Sequence, residues 1–200
     1  MSFFKTGLRN SFRILQSLPA VGRRNPKWDD NGLSHQSLSN IHDVSIGLKI
    51  EIYNLANHKE VIPTVAKWFY QEWSHLYPGR TVNDVEQVIW GRGKKKILIT
   101  LVAFEGEELL GTVSLKIHDM DTRLDLTPWL SGLYIAESRR EQGIGTTLVN
   151  VIERKAKELS ARKLYLYTLK SEGFYTRLGW FVKERTEYQS YPATIMEKEF

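Results

Sequence analysis

The fold is decided by the stretch Arg140-Glu-Gln-Gly143-Ile-Gly145, which follows the apolar run 129–135 and opens an amphipathic segment over 146–160. A strand, a glycine-containing turn and a helix start form a place for an anion, because the first N–H groups of a helix lack intrahelical partners and lie at the positive end of its dipole. A pyrophosphate is an anion of this kind. Gly143 and Gly145 let the backbone approach it closely, because they have no Cβ. The stretch therefore predicts a phosphate-binding strand–turn–helix unit.

The composition bounds the classes of protein to which this chain can belong. With 200 residues, it is long enough for one domain with an extension and a substantial core. Its longest apolar stretch, 97–104, is far shorter than the about 20 residues that cross a bilayer, so no membrane-spanning helix is predicted. The absence of cysteine excludes disulfides and thiolate chemistry within the chain. The five histidines show no ligand spacing, and no metal site is predicted.

The net charge of +5 is unevenly distributed along the chain. Residues 1–28 carry six basic and no acidic side chains, whereas the remainder holds 22 basic and 23 acidic ones. The basic character therefore belongs to the N-terminal segment, and the rest gives no overall electrostatic case for binding nucleic acid. We expect residues 1–47 to be a basic N-terminal extension, flexible or partly helical, and residues 48–200 to be one domain.

Three interpretations of the extension stay open. Its Arg-rich, Ser-rich and acid-free beginning is typical of a mitochondrial transit peptide, which requires a eukaryotic source. A flexible basic tail and a helix that binds a membrane surface or a partner are the other two. Without a transit peptide, a cytoplasmic location is expected.

Hydrophobic periodicity and turn signals predict the elements of the domain. Asn57, followed by Glu60, predicts the capped start of a first helix, and Thr81 with Asp84 repeats the pattern before a second helix. Gly179 stands where it would end a short helix. The other predicted elements are the strands 48–55, 97–104, 109–118, 129–136 and 163–169, the helices 146–160 and 172–178, and two strands within 180–200.

Two motifs in this order of elements resemble those of the GNAT superfamily of acyl-CoA N-acyltransferases. The first, Arg140-x-x-Gly143-x-Gly145, matches the superfamily's Gln/Arg-x-x-Gly-x-Gly/Ala signature in full. The second is Tyr175-x-x-x-Gly179-aromatic, which follows the next strand. The resemblance covers roughly residues 48–200, the whole of the predicted domain. It implies an α/β (α+β) fold in which about four helices flank a mixed central sheet of six to seven strands, with the fourth and fifth strands splayed apart.

The resemblance also implies acetyl-CoA as the acyl donor, bound in the gap between the splayed strands. Backbone groups of Leu133, Tyr134 and Ile135 would pair with the pantetheine arm as though it were a strand. Arg140 would add positive charge at the rim of the site. The pyrophosphate would be held by backbone N–H groups of the helix start, namely Gln142, Gly143, Ile144, Gly145, Thr146 and Thr147.

Tyr175 is, by the same resemblance, the candidate catalytic acid that assists departure of the CoA sulfur. A phenol has a pKa of about 10 and a thiol a pKa of about 8.5, so full proton transfer to a free thiolate is uphill by roughly 2 kcal/mol. A hydrogen bond that strengthens as the C–S bond breaks is therefore the expected role.

The base that removes a proton from the acceptor is not evident from the sequence. Many members of the superfamily carry Glu in the fourth strand, but the corresponding stretch 129–133 has no carboxylate. A water chain or a carboxylate of the polar loop 118–125 can take the proton, or the acceptor amine has a low pKa. Neutralising a lysine-like amine at pH 7 costs roughly 4.6 kcal/mol, whereas an α-amine costs only about 1 kcal/mol.

The acceptor side has five candidate residues. Asp119, Asp121 and Asp125 lie in the polar loop, where their charge can attract a cationic amine. Trp73 and Tyr77 lie in or after the first helix and are the aromatic candidates.

We expect an N-acetyltransferase that transfers an acetyl group from acetyl-CoA to a primary amine of a small molecule or peptide, by direct attack in a ternary complex. The alternatives are a non-catalytic acyl-CoA-binding sensor or scaffold, and a protein N-terminal or lysine acetyltransferase. An amine-bearing partner is predicted, with no nucleic acid, no integral membrane association and no metal. A homodimer formed through terminal strands stays open.

Overall fold

The computed structural model describes residues 43–45, 48–91 and 99–200, and these residues form one sheet flanked by helices. The strands are β1 (Asp43–Ser45), β2 (Leu48–Asn54), β3 (Ile99–Glu105), β4 (Glu108–Lys116), β5 (Trp129–Ile135), β6 (Lys163–Thr168), β7 (Phe181–Tyr188) and β8 (Tyr191–Glu199). The helices are α1 (Ile62–Trp73), α2 (Val82–Gly91), α3 (Ile144–Glu158) and α4 (Glu172–Arg177). The strand order is β1-β2-β3-β4-β5-β6-β8-β7.

The sheet is mixed, because β5 and β6 run parallel while every other neighbouring pair is antiparallel. The seven strands from Leu48 onward and the four helices confirm the predicted fold class. The short β1 lies within the predicted extension and pairs with β2. The transit-peptide and tail-helix interpretations fall on residues 1–42, outside the described residues.

Helices cover both faces of the sheet, and β3 shows this most directly. Leu101 and Ala103 join the apolar cluster under α3, whereas Val102 and Phe104 join the cluster under α1 and α2. A strand covered on both faces buries every side chain, so its sequence is a continuous apolar run without alternation. Both helical layers are thereby fixed against the centre of the sheet.

The start of α1 differs from the prediction. Asn54 caps a short 3-10 turn over Leu55–Asn57, accepting a hydrogen bond from the backbone N–H of Ala56 at 2.9 Å. A second 3-10 turn follows, and α1 begins only at Ile62. The prediction of a capped helix start at Asn57 is therefore wrong, because β2 ends at Asn54 and this residue caps the turn that follows.

The predicted cap of α2 is confirmed. The Thr81 backbone N–H and hydroxyl both donate to Asp84 Oδ2 at 2.8 Å, and the Asp84 N–H donates to Thr81 Oγ1 at 3.3 Å. This reciprocal pair satisfies N–H groups that have no intrahelical partner. The predicted end of α4 also agrees, since Gly179 follows the helix with φ of +80°.

The fourth and fifth predicted strands, now β5 and β6, do splay apart. They pair at one position only, Trp129 with Tyr165, where the Tyr165 N–H donates to Pro128 O at 3.0 Å. Beyond that position no pairing joins them, so a gap opens along β5. A β-strand edge inside a sheet then has backbone groups available to a ligand.

Candidate functional site

The start of α3 has the geometry of an anion site. Glu141 and Gly143 have φ of +64° and +80°, and this left-handed turn lets the chain enter the helix at Ile144. The first helical N–H bond in the turn runs from Thr147 to Gly143 O at 3.0 Å. The N–H groups of Ile144, Gly145 and Thr146 therefore precede the intrahelical ladder. No side chain caps this start, and its first turn has no acidic residue.

Side-chain hydrogen bonds and close packing stabilise this turn. The Gln142 side chain donates to Ser138 O at 3.4 Å, and the Thr147 hydroxyl donates to Gly143 O at 3.2 Å. An ideal Cβ built on Gly145 would lie 3.4 Å from the Phe174 ring and 3.7 Å from Ile135 Cγ1. The helix start is thus wedged between the end of β5 and α4.

The open edge of β5 begins at a bulge. The register with β4 shifts between Thr112 and Ser114, and Gly132 has φ of +60°. A Cβ on Gly132 would lie 2.9 Å from the Phe69 ring, so only glycine suits both the backbone and the space there. The bulge changes which backbone groups face β4.

The backbone groups of Leu133 and Ile135 face the gap. The next amide, that of Ala136, donates to Leu110 O in β4 at 2.9 Å, and successive residues of a strand alternate in direction. The Ile135 carbonyl accepts from Arg140 Nε at 3.2 Å.

Arg140 and Tyr134 lie on the α1 side of this edge. The Arg140 guanidinium is 5.5 Å from the Tyr134 ring centroid and 3.9 Å from Glu72. Burial raises the pKa of Tyr134, and the charge of Arg140 opposes that rise. Tyr134 also stacks on Trp68 at 5.1 Å. Its side chain is therefore part of the core, and its backbone pairs with Thr112 of β4.

Tyr175 is held by rings on both sides. It packs edge-on against Phe174 at 5.0 Å and Trp180 at 6.0 Å and is 7% exposed. Burial raises the pKa of its hydroxyl, so Tyr175 stays protonated at neutral pH. Among the described residues none hydrogen-bonds that hydroxyl. A neutral phenol with an uncommitted proton is a hydrogen-bond donor.

Asp119 stands beside β5 where the sequence shows no carboxylate. Its Oδ1 accepts from Ser131 Oγ at 2.8 Å and from Lys116 Nζ at 2.6 Å. Its side chain is 11% exposed, and within the described chain no donor reaches Oδ2. The loop after β4 thus supplies a carboxylate to the fourth predicted strand.

Three tyrosines lie near Asp119. The rings of Tyr167 and Tyr188 pack edge-on at 5.2 Å, and both side chains interact with that of Tyr77. Burial raises the pKa of Tyr77, Tyr167 and Tyr188, and the charge of Asp119 raises it further for Tyr77 and Tyr167. We call these three residues and Asp119 the tyrosine cluster.

The remaining acceptor candidates are not in contact with this cluster. Asp125 is exposed and bonded to Arg123, which lowers the pKa of its carboxyl. Asp121 is exposed, although its charge contributes to the raised pKa of Tyr188. Trp73 packs against Phe69 at 5.0 Å in the core under α1. The structure therefore brings together Asp119 and Tyr77 from the predicted set.

Sequence reasoning missed four residues of this end of the gap: Lys116, Ser131, Tyr167 and Tyr188. One signal was present in β6, where Leu164 and Leu166 are buried and tyrosines occupy the alternate positions. Aromatic residues on the second face of a strand indicate that something covers it. The sequence does not say what that is.

No helix in the described part of the chain is both long and apolar enough to cross a membrane. Across the same residues, no group of three or more His, Cys, Asp or Glu side chains is arranged to hold a metal ion.

Several solved structures have the same fold, and two of those described next contain coenzyme A. An aminoglycoside 6'-N-acetyltransferase complexed with coenzyme A is 19% identical, with a TM-score of 0.58 over 74% of this chain and 96% of that one. The PaiA N-acetyltransferase of Thermoplasma acidophilum, also with coenzyme A, is 21% identical, with a TM-score of 0.54 over 76% and 99%. A spermidine/spermine N-acetyltransferase of Vibrio cholerae is 13% identical, with a TM-score of 0.57 over 75% and 92%.

At the level of sequence, no curated protein matches significantly. The model of the family described as "Acetyltransferase (GNAT) family" matches residues 62–180, which is more than half of the chain and includes both motifs, the bulge and the start of α3. The resemblance in the sequence is thereby confirmed, and this chain belongs to the GNAT acetyltransferase family.

Proposed function

We infer that the protein transfers an acetyl group from acetyl-CoA to a primary amine, by direct attack within a ternary complex. One observation carries this inference. The gap between β5 and β6 opens at a bulge and ends beside the uncapped start of α3. A thioester with a long polar arm and a pyrophosphate matches a strand edge followed by an anion site.

The cofactor would lie along the open edge of β5, with its pyrophosphate at the start of α3. Backbone groups of Leu133 and Ile135 would bond the pantetheine amides, whereas the backbone of Tyr134 between them pairs with β4. The N–H groups across 142–147 would bind the pyrophosphate. Arg140 bonds Ile135 O here, and its exposed guanidinium would turn to the phosphates. An N–H of the bulge would stabilise the oxyanion that forms on the thioester carbonyl.

The transfer of protons from the acceptor nitrogen to the CoA sulfur suggests a role for Tyr175 as a hydrogen-bond donor. The acceptor ammonium loses one proton to solvent before attack. The lone pair that this frees forms the C–N bond, and the C–S bond breaks with its electron pair going to sulfur. The second proton leaves nitrogen as sulfur gains one. Because the buried Tyr175 hydroxyl stays protonated, it would donate a hydrogen bond to the sulfur as negative charge develops there.

The acceptor would enter at the other end of the gap, near Asp119 and Tyr77. Asp119 reaches β5 through Ser131, next to the bulge. Asp121 lies close enough to add negative charge. Relatives of this fold include enzymes named for aminoglycosides and for spermidine and spermine, so an amine acceptor agrees with the fold.

The test measures cofactor binding and turnover in the same protein. Calorimetry should detect binding of coenzyme A. Thiol release from acetyl-CoA should depend on an added amine, chosen from tyramine, spermidine, kanamycin A and a lysine-containing peptide. Tyr175→Phe should lower kcat by about ten- to hundredfold with CoA affinity nearly unchanged. The control Tyr53→Phe removes a hydroxyl from a ring packed against Phe104, away from the gap, and should change neither.

Each failure has a separate meaning. No binding of coenzyme A removes the whole proposal. Binding without thiol release favours an acyl-CoA sensor or scaffold. Release with the peptide alone favours a protein acetyltransferase, and unchanged kcat in Tyr175→Phe removes the role of Tyr175.

A further inference from the structure

We propose, on the basis of the acetyl-transfer function above, that the acceptor is a primary amine carrying a single ammonium group on an aromatic or apolar body, and that Asp119 with the hydroxyls of Tyr77, Tyr167 and Tyr188 binds that ammonium.

The position of Asp119 relative to the gap is the first argument. Oδ1 is fixed by Ser131 at 2.8 Å and by Lys116 at 2.6 Å, while Oδ2 has no hydrogen-bond partner among the described residues. Ser131 directly precedes Gly132, where the bulge of β5 begins. A cation on Oδ2 would therefore lie beside the part of β5 where the thioester carbonyl is expected.

The chemistry of the tyrosine cluster is the second argument. An ammonium donates three hydrogen bonds and accepts none. Asp119 Oδ2 supplies one acceptor, and tyrosine hydroxyls have lone pairs even while they donate to one another. Burial and the charge of Asp119 raise the pKa of Tyr77 and Tyr167, so both hydroxyls stay neutral. Burial disfavours any charge, whereas the negative charge of Asp119 favours a cation at this position.

Two cationic side chains at the cluster favour an acceptor with one ammonium group. Lys116 is bonded to Asp119, and the Arg80 guanidinium lies 5.4 Å from the Tyr77 ring centroid. Both would repel the further ammonium groups of a polycation as these approached the cluster.

The rim of the cluster indicates the body of the acceptor. His75 and Tyr191 pack edge to face at 5.0 Å, and Tyr191 is 39% exposed. Both adjoin the cluster, since His75 lies two residues before Tyr77 and Tyr191 pairs with Tyr188 across the β7–β8 turn. Exposed aromatic rings favour an aromatic or apolar group over a heavily hydroxylated one.

The experiment compares three amines in the wild-type protein and its variants, with kcat and KM measured by thiol release. Tyramine, a monoamine on an aromatic ring, should exceed spermidine and kanamycin A in kcat/KM by about tenfold or more. Asp119→Asn should raise KM for tyramine by about ten- to hundredfold, and kcat should change by less than about threefold, since a hydrogen bond to a charged group is lost from binding. Tyr167→Phe and Tyr188→Phe should each raise KM about two- to tenfold.

Matched controls separate this role from a general loss of structure. Glu158→Gln breaks another Lys–carboxylate pair of 2.6 Å with the same sequence spacing, Lys155 with Glu158 at the end of α3. Tyr165→Phe removes a hydroxyl from the same strand as Tyr167, on a ring that packs against Trp129. Both should keep the wild-type KM. Calorimetry with coenzyme A verifies that each variant is folded.

The outcomes distinguish this inference from the proposed function. If coenzyme A binds but spermidine or kanamycin A is preferred, or tyramine is not acetylated, the inference is overturned. An unchanged KM in Asp119→Asn with wild-type CoA affinity overturns it as well, and the tyrosine variants give the same decision should Asp119→Asn not fold. If the wild-type protein does not bind coenzyme A, the proposed function itself fails.

Discussion

Two shielded carboxylates, Glu153 and Asp119, are bonded in different ways. Each oxygen of Glu153 has its own donor, Trp180 Nε1 at 2.9 Å and Lys198 Nζ at 2.7 Å. Asp119 receives both of its donors on Oδ1. Lys198 also donates to Leu178 O at 2.8 Å, which ties α3, the end of α4 and β8 together.

The hydrogen-bond partners of these two carboxylates distinguish a charge that stabilises the fold from one that can bind a ligand. Burying a charge is tolerated when its hydrogen-bonding capacity is filled, and Glu153 meets that condition beside Trp180 of the main core cluster. For Asp119, no donor among the described residues reaches Oδ2, and the residue lies beside an open strand edge. This oxygen can accept a hydrogen bond from a ligand. Three substitutions test this contrast.

Glu153→Ala should have the largest effect on stability. It leaves the buried Trp180 N–H and the partly exposed Lys198 ammonium without their acceptor, at a cost of about 3 kcal/mol. The melting temperature should fall by roughly 6–12 °C. Differential scanning calorimetry measures this, and CoA affinity of the folded protein should not change. A melting temperature equal to that of the wild type would show that Glu153 is not the structural member of the pair.

Asp119→Asn should destabilise the protein by about 1 kcal/mol or less, because the amide oxygen still accepts from Ser131 and only the attraction to Lys116 is lost. Denaturant unfolding at neutral pH measures this difference. The two variants should thus show opposite patterns, with Glu153→Ala altering stability and Asp119→Asn altering KM. A larger loss of stability in Asp119→Asn than in Glu153→Ala contradicts the contrast.

Asp84→Asn should give the smallest shift, since this carboxylate is exposed and serves only the cap of α2. Hydrogen bonds from Thr81 lower the pKa of Asp84. A lowered folded-state pKa stabilises the fold above the unfolded pKa of about 3.9, and this contribution disappears as pH falls through the folded value. The difference in melting temperature from wild type should therefore narrow between about pH 6 and about pH 3. If the difference in melting temperature grows as the pH falls, the pKa of Asp84 is not lowered in the folded protein.

Helix caps were predicted correctly where both hydrogen-bonding residues belong to the same short segment. The cap between Thr81 and Asp84 formed as predicted, because both residues belong to one turn. The prediction at Asn57 failed although the pattern was the same, because β2 ends at Asn54 and the chain first makes two 3-10 turns. Strand length is set by pairing with β3, which a local pattern does not contain.

The two ends of the gap differ in the same way. The proposed cofactor end is predictable because it consists of backbone groups in consecutive residues near Gly143. At the proposed acceptor end, Asp119 and Tyr77 were only two candidates among five. Nothing in the sequence separates Asp119 from Asp125, whereas the structure bonds one to Ser131 and the other to Arg123.

The sequence by itself determined the strand, turn and helix of the proposed anion site, because their geometry depends on contiguous residues and on a glycine with positive φ. Only the tertiary structure decided which side chains meet at the other end. Ser131, Asp119 and Tyr167 come from β5, a loop and β6, and they become neighbours through the order and register of the sheet. Contacts between distant segments depend on how the whole core packs, and no local pattern carries that information.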